Sequence, residues 1–183
     1  MDYDDQNKTI PTNRLVLRMF QKSDAKAVTK LCNNINIYKN TLYIPYPYSI
    51  EDALSWIEHH LDHFIANKSY EFAITKKDSG ELVGAIGLSN NQTFTNGEIG
   101  YWIGEEFWGN GYATEAAKAI LKFAFEEKQY HKVFARSFRS NPASGSVLQK
   151  VGMKQEGVLI DHVKKDNRYE DLVYYGIINA RNR

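Results

Sequence analysis

The segment from residue 97 to residue 125, GEIGYWIGEEFWGNGYATEAAKAILKFAF, constrains the fold more than any other part of the sequence. It begins with strand-like alternation and ends with small and apolar residues at helical spacing. Between these parts, Gly109 and Gly111 flank Asn110, just before a helix predicted to start near Ala113. Glycines let backbone N–H groups converge on one ligand, and a helix start adds partial positive charge. The segment therefore predicts a strand, a turn and a helix that can hold a phosphate or pyrophosphate group.

The residues around this turn do not fit two common phosphate-binding motifs. A dinucleotide-binding turn has the pattern G-x-G-x-x-G, but Thr114 stands at the third glycine position, and Arg136 stands where an acidic residue would close the next strand. A P-loop requires Gly-Lys followed by Ser or Thr, which the turn lacks. An ordinary strand-to-helix connection is the remaining alternative, so residues outside the turn must decide.

A second motif, N-x-x-S-x-x-V-L-x-K-x-G, follows the helix at residues 141 to 152. Together with the turn from Trp108 to Ala113, it resembles the Gcn5-related N-acetyltransferase (GNAT) superfamily, and most of all its ribosomal-protein N-terminal (Rim-type) acetyltransferase branch. The family turn is Gln/Arg-x-x-Gly-x-Gly/Ala. Trp108 departs from its first position, although tryptophan is familiar there in the Rim-type branch. The resemblance covers most of the chain from Arg14 to Ile177.

The resemblance implies one N-acetyltransferase domain over residues 13 to 179. We expect a flexible N-terminus at residues 1 to 12 and a C-terminal tail at residues 180 to 183. The implied fold is α/β, more strictly mixed α+β. Its centre is a mixed, mainly antiparallel sheet of about seven strands, splayed in the middle, with helices on both faces.

Strand periodicity agrees with this fold. A hairpin is predicted from Phe72 and Ile74 to Leu82–Leu88, and the next strand alternates from Glu98 to Ile103. Three consecutive antiparallel strands before the turn would not occur in a doubly wound nucleotide-binding fold. The other predicted elements are a strand at 15–19, a strand at 133–138, a short helix at 141–151 and a closing hairpin at 153–162 and 168–177.

Two helices are predicted in the first third of the chain. Ser23 can cap the first, and a capping box of Ser49 and Asp52 starts the second. Their apolar faces are Val28, Leu31 and Ile35 in the first, and Leu54, Ile57, Leu61 and Phe64 in the second. We expect the histidines of the second helix, His59, His60 and His63, to lie in solvent, because no third metal ligand accompanies the i, i+4 pair.

The resemblance also implies acetyl-coenzyme A (acetyl-CoA) and a site for it. In relatives, the backbone of the fourth strand, here Trp102, Ile103 and Gly104, binds the pantetheine arm as an added strand would. The turn takes the pyrophosphate with Trp108, Gly109, Asn110, Gly111, Tyr112, Ala113 and Thr114. Asn141 resembles the residue that hydrogen-bonds the arm, and it equally suits an N-cap before Pro142. Ser144 and Lys150 complete the predicted cofactor site.

Two residues are assigned catalytic roles by the resemblance. Glu98 resembles the base that takes a proton from the amine, and burial could raise its pKa towards the working range; an edge-strand carboxylate in water is the alternative. Many members protonate the leaving thiolate with a tyrosine seven residues after the asparagine, but Leu148 stands there. We therefore predict Ser144 as the acid, as in the Rim-type branch. The alternative is a hydroxyl that merely bonds the helix backbone.

The acceptor is predicted to meet an aromatic loop. Pro45 and Pro47 exclude a helix there, and Tyr43, Tyr46 and Tyr48 either line the acceptor site or pack over the edge of the core. The branch implies an N-terminal α-amine of a ribosomal or similar protein. The alternatives are a small amine such as a polyamine, aminoglycoside or amino acid, and a non-catalytic CoA-binding sensor. A small cation should prefer a closed pocket, and a peptide an open groove.

Composition narrows the partners and the compartment. Lysine and arginine number 23 against 22 acidic residues, so the formal charge of +1 provides no field for nucleic acid or an anionic membrane. Cys32, the single cysteine, is predicted to be a small buried hydrophobe. No apolar run approaches the roughly 20 residues of a membrane span. The acidic N-terminus is unlike a secretory signal, so we expect the cytoplasm and, since relatives include both, a monomer or homodimer.

Overall fold

Eight strands form one sheet in the computed structural model, which describes residues 3 to 180. Their order across the sheet is β1-β2-β3-β4-β5-β6-β8-β7. Every neighbouring pair is antiparallel except β5 and β6, which are parallel. The strands are β1 Ile10–Pro11, β2 Leu15–Met19, β3 Ser69–Lys76, β4 Leu82–Ser89, β5 Asn96–Ile103, β6 Lys132–Phe138, β7 Lys154–Lys165 and β8 Arg168–Ile178.

The first strand is an addition to the predicted sheet. Ile10 is buried and pairs with Leu17, and the Tyr3 ring packs edge-on against Phe123 with centroids 4.8 Å apart. Apolar burial thus brings part of the segment predicted as a flexible N-terminus onto the sheet. Residues 1 and 2 of that segment, and residues 181 to 183 of the predicted C-terminal tail, lie outside the described residues.

Helices cover both faces of the sheet. Trp56 lies 6.4 Å from Trp102 of β5, centroid to centroid, so α3 packs on the face that carries Trp102. Phe123, directly after α5, lies 5.7 Å from Phe72, whose position on β3 faces the other way. The helices are α1 Ala25–Cys32, α2 Ile35–Asn40, α3 Ile50–Glu58, α4 His60–Ile65, α5 Tyr112–Lys122 and α6 Pro142–Lys150.

The first predicted helix differs from the structure at both ends. Gln21, not Ser23, precedes the first turn, and Asp24 completes a capping box with Gln21. Asp24 also receives Arg18 at 2.8 Å, which holds this start against β2. The helix α1 ends at Cys32, and Ile35 begins the separate helix α2 with an exposed side chain. The prediction that Ile35 continues the apolar face was wrong because Asn34 caps a new helix.

The second predicted helix is two helices. The Ser49–Asp52 capping box is confirmed, but the helix breaks at His59. The buried face that results is Ala53, Ile57, His60 and Phe64, whereas Leu54 and Leu61 are exposed. His60 is buried between the rings of Phe20 and Trp56, so the prediction of a solvated His60 was wrong. Burial lowers the pKa of His60 to about 4, and its Nδ1 has no hydrogen-bond partner among the described residues.

The sheet splays between its two parallel strands. The pairing of β5 with β6 extends only over residues 96–98 and 132–134. Beyond Glu98, β5 pairs with β4 alone, up to Ile103. The splay in the middle of the sheet is therefore present, and it exposes one backbone edge of β5 between residue 98 and the glycine turn.

Candidate active site

The glycine turn leads directly into α5. Gly109 and Gly111 have φ values of 78° and 77°, in the left-handed region that glycine adopts without strain. No described residue accepts a hydrogen bond from the backbone N–H groups of residues 109 to 114. A Cβ on Gly109 would meet no atom within 4 Å. The turn thus presents open backbone donors at a helix start, which suits a pyrophosphate.

Side chains hold the turn from behind. Arg14 donates to the backbone oxygen of Asn110 at 2.9 Å and binds Glu115 of α5 at 2.7 Å. The Asn110 amide donates to the backbone oxygens of Phe107 and Trp108. Trp108 in turn donates its indole N–H to the backbone oxygen of Ile103 at 2.7 Å. These bonds fix the turn to the end of β5, so Trp108 and Asn110 shape the predicted site through their hydrogen bonds to the backbone.

The next part of the predicted cofactor site is the free edge of β5. Trp102 and Ile103 are buried and pair with Ala85 and Gly84 of β4. Gly104 continues this side by donating its N–H to the backbone oxygen of Val83 at 2.9 Å. The opposite edge of β5 faces the splay, where no described strand occupies it. An extended ligand has room to lie along this edge as an added strand.

Across the splay, α6 begins with the predicted asparagine. The Asn141 Oδ1 accepts the backbone N–H of Ser144 at 3.2 Å, so Asn141 is the N-cap of α6, as one of the two sequence interpretations stated. Lys150 lies exposed in the last turn of the same helix. Leu148, at the position where many relatives carry a tyrosine, is fully buried.

Ser144 has an unexpected partner. Its Oγ lies 2.9 Å from the Oη of Tyr101 on β5. Burial raises the pKa of Tyr101 to about 12, so the phenol stays protonated at every working pH. Alternation along β5 predicts that Tyr101 faces away from Glu98, but sequence spacing gives no sign that α6 lies opposite it. Tyr101 was therefore not predicted as a site residue.

Glu98 is paired with a second residue that sequence analysis missed. Arg136 of β6 donates to both carboxylate oxygens of Glu98, at 2.6 and 2.9 Å. Both side chains are partly buried, and the hydrogen bonds to Glu98 raise the pKa of Arg136. The carboxylate predicted as the base is therefore held in a two-pronged ion pair at the point where β5 and β6 part.

The three predicted acceptor tyrosines have different surroundings. Tyr43 is 82% exposed and lies near enough to Arg136 to contribute to its raised pKa. Tyr46 is 48% exposed, whereas Tyr48 is buried in the core. The aromatic loop therefore offers Tyr43 and Tyr46 to a ligand, and Tyr48 has the packing role that was the alternative interpretation.

The tip of the β7–β8 hairpin packs beside this loop. Lys165 donates to the backbone oxygen of Thr41 at 2.7 Å and lies over the Tyr38 ring, and Tyr38 hydrogen-bonds Asp166. The hairpin and the aromatic loop thus form one side of the space over the face that carries Glu98.

Other candidate chemistry has no support in the described part of the chain. Cys32 is confirmed as a buried core residue, and burial raises its thiol pKa to about 12. Residues 3 to 180 contain no cluster of three or more potential metal ligands. Within the same range, no helix has the length and apolar character to cross a membrane.

The geometry fits CoA, with open donors at the turn for the pyrophosphate and a free strand edge for the pantetheine arm. Comparison with known proteins agrees. The family model described as an acetyltransferase (GNAT) domain matches residues 14 to 154. The uncharacterised N-acetyltransferase YoaA of Bacillus subtilis is 30% identical over 175 residues, which span 94% of this chain and 97% of YoaA.

Two further comparisons involve ribosomal-protein acetyltransferases. The ribosomal protein uS5-alanine N-acetyltransferase of Escherichia coli is 27% identical over 107 residues, 57% of this chain and 55% of that protein. The structure of RimL, a ribosomal L7/L12 α-N-protein acetyltransferase solved with coenzyme A, has a TM-score of 0.86 at 20% identity, covering 93% of this chain and 97% of RimL. The second likeness establishes the fold. The chain therefore belongs to the GNAT family of N-acetyltransferases, which use acetyl-CoA as the acetyl donor.

Proposed function

We propose that this enzyme acetylates an N-terminal α-amine of a protein, of the ribosomal-protein type. The observation that carries this is the open acceptor face at the splay. Gly100 of β5 is exposed and a Cβ there would meet no atom within 4 Å; Tyr43, on the loop near Arg136, is largely exposed. A flexible peptide end can enter an open groove, whereas a small polyamine is better held in a closed pocket. The named function of the Escherichia coli relative supports the same acceptor.

Acetyl-CoA supplies an activated thioester. On this chain, the backbone of residues 102–104 and the turn 108–114 would hold it, and Asn141, Ser144 and Lys150 remain predicted contacts. Ser144 would donate a proton to the leaving thiolate, and the neutral Tyr101 hydroxyl 2.9 Å away can replace that proton. Glu98 remains the base predicted by resemblance. With both oxygens bonded to Arg136, it would have to give up part of an ion pair to accept a proton.

The amine itself sets how much catalytic help is needed. An α-amine has a pKa near 8, so roughly a tenth of it is neutral at pH 7; a lysine amine near 10.4 is neutral several hundred times less often. A modest base therefore suffices for an α-amine. The cytoplasm, where ribosomal proteins are made, is the compartment that this proposal requires.

The test is an assay of CoA thiol release by the purified enzyme. N-terminal peptides of ribosomal proteins form one arm, and polyamines, aminoglycosides and amino acids form the other. The same peptides with a blocked α-amine and an internal lysine serve as the matched control. Turnover on the unblocked peptides alone supports the proposal. Turnover on small amines alone would show that the acceptor is a small amine and not a protein. CoA binding without turnover in either arm would favour a non-catalytic CoA-binding sensor.

A further inference from the structure

A row of three residues crosses the acceptor face of the sheet beside the splay. Glu71 of β3 pairs with Gly87 of β4, and Gly87 pairs with Gly100 of β5. Directly paired residues of neighbouring strands point to the same face, which is also the face of Glu98. Glu71 is thus the only member of the row with a side chain.

The two glycines leave the Glu71 carboxyl a path towards the splay. A Cβ on Gly87 would lie 2.1 Å from the Glu71 Oε2, so the carboxyl group lies directly over the Gly87 backbone. One strand spacing further, about 4.8 Å, is the open space over Gly100. On its far side, β5 has lost its pairing with β6. A nitrogen atom hydrogen-bonded to Glu71 would therefore lie beside the splay.

The side chain of Glu71 has no hydrogen bond or ion pair within residues 3 to 180. The charged groups of the neighbouring strands that flank Glu71 on this face are held in ion pairs. Arg18 of β2 binds Asp24 at 2.8 Å, and Glu98 binds Arg136 at 2.6 Å. Glu71 is therefore the carboxylate on the described acceptor face whose oxygens are available to a cationic ligand.

Burial, acting alone, raises the pKa of Glu71 to about 7. The helix α4, which packs against β3, supplies no buried positive charge, because burial lowers the pKa of its His60 to about 4. The neighbouring His59 is exposed, and His63 is only partly buried. A carboxylate that titrates near neutrality and has no internal partner is suited to accept the proton of an amine.

We propose that Glu71 binds the ammonium group of the acceptor and takes its proton, an inference that rests on the proposed acetyl transfer and specifies its base. An N–H bond of the ammonium breaks and its proton moves to a Glu71 oxygen. The freed nitrogen lone pair forms a bond with the acetyl carbonyl carbon, and the C–S bond breaks. The thiolate takes a proton from Ser144, which regains one from solvent. One of the two protons left on the nitrogen leaves to solvent and Glu71 later releases the proton it took, so that amide, thiol and one net proton result.

The raised affinity of Glu71 for protons makes this step accessible. Transfer from an α-ammonium with a pKa near 8 to a carboxylate near 7 is uphill by about tenfold, against several thousandfold for an ordinary glutamate. Glu98, by contrast, accepts hydrogen bonds from Arg136 at both of its carboxylate oxygens and would anchor the mouth of the splay. The pH dependence of kcat/KM is therefore expected to differ according to which of the two carboxylates is the base.

The first test compares Glu71→Gln, Glu98→Gln and, as a matched exposed control on α3, Glu58→Gln. For the wild type, kcat/KM with an α-amine peptide should rise up to pH 7 and fall above pH 8, because ionised Glu71 and protonated amine react together. Glu71→Gln should lose about a hundredfold or more at pH 7, and its profile should rise up to pH 8 with the neutral amine. In Glu98→Gln, the pH profile should rise and fall at the same pH values as in the wild type, whatever the rate of the variant. A Glu71→Gln enzyme with the wild-type rate and profile would overturn the proposal.

Two further readouts separate this proposal from the proposed function. The ¹³C carboxyl signal of Glu71, assigned from its absence in Glu71→Gln, should titrate near pH 7 and shift on addition of an unacetylated peptide without acetyl-CoA. A shift without turnover would reject the proposed function and keep the amine site; turnover without a shift would reject Glu71. Gly100→Ala, which fills the open space, should lower kcat/KM for the acceptor about tenfold while CoA binding stays unchanged. An unchanged kcat/KM for the acceptor in Gly100→Ala would contradict an amine site over Gly100.

Discussion

The Tyr101 hydroxyl oxygen on β5 lies 2.9 Å from the Ser144 hydroxyl oxygen on α6. These two hydroxyls connect the strand that borders the splay with the helix across it. Neither group ionises near neutral pH, since burial raises the pKa of Tyr101 to about 12. Both hydroxyls are therefore protonated over the working range, and the pair can pass a proton to a leaving thiolate and regain one from solvent.

Tyr101→Phe should lower kcat about tenfold, and Ser144→Ala should lower it by at least as much, because general acid catalysis typically contributes a hundredfold or more. Both losses should be uniform from pH 6 to 9, since no group of the pair titrates there. The KM for acetyl-CoA should change little. Steady-state kinetics over that pH range measure both effects, with Tyr3→Phe, whose ring packs against Phe123, as the control tyrosine. Full turnover by Ser144→Ala would remove it from the mechanism.

Gly109→Ala should weaken CoA binding about tenfold. Alanine at φ 78° costs roughly 1–2 kcal/mol, although a Cβ there meets no atom, so the strain falls on the turn itself. Isothermal titration with CoA and with pantetheine separates the effects, because pantetheine lacks the pyrophosphate. Gly157→Ala, on β7 with open space around its Cβ, is the control. An equal loss for both ligands would show that the turn does not hold the pyrophosphate.

Arg136→Met should destabilise the fold by about 1–3 kcal/mol, because it leaves the partly buried Glu98 carboxylate without its partner. The double variant with Glu98→Gln should recover part of this loss, giving a coupling energy of about 1 kcal/mol after allowance for partial exposure. Urea unfolding of the wild type, both single variants and the double variant measures it. Strictly additive losses would mean that the ion pair adds no stability.

His60→Leu should remove an acid-sensitive contribution to stability. The folded pKa of about 4 lies below the ordinary 6.5, so His60 contributes stability above pH 6.5 that is lost as the pH falls towards 4. That contribution is at most about 3 kcal/mol. The measurement is the difference in free energy of unfolding between the variant and the wild type, at pH 4 and at pH 7. Glu71 is present in both proteins, so its opposite effect on the pH dependence of stability cancels in this difference. The exposed His59→Leu should show no such difference, and an identical slope in His60→Leu would refute the assignment.

Much of the sheet follows from sequence because its strands have local signals. The alternation in β5 and the turn at Asp78–Gly80 specify their own strands. The breaks at Asn33 and His59 were not predicted, because apolar spacing continues across them while caps and burial decide where each helix ends.

The site was predictable where a motif carries it and hidden where topology assembles it. The glycine pattern pointed to the turn, and the resemblance to the GNAT family pointed to Asn141. The pairing of Glu98 with Arg136, and of Tyr101 with Ser144, depends on which strand and helix lie across the splay. The row from Glu71 to Gly100 depends on strand register, which sequence periodicity does not supply.

The most direct test of the central claim is mass spectrometry of an N-terminal ribosomal-protein peptide after incubation with the enzyme and acetyl-CoA. We predict the addition of one acetyl group, located on the α-amine by fragmentation, with an equal yield of CoA thiol. A peptide left unmodified, while a polyamine or amino acid is acetylated under the same conditions, would contradict the assignment of a protein acceptor.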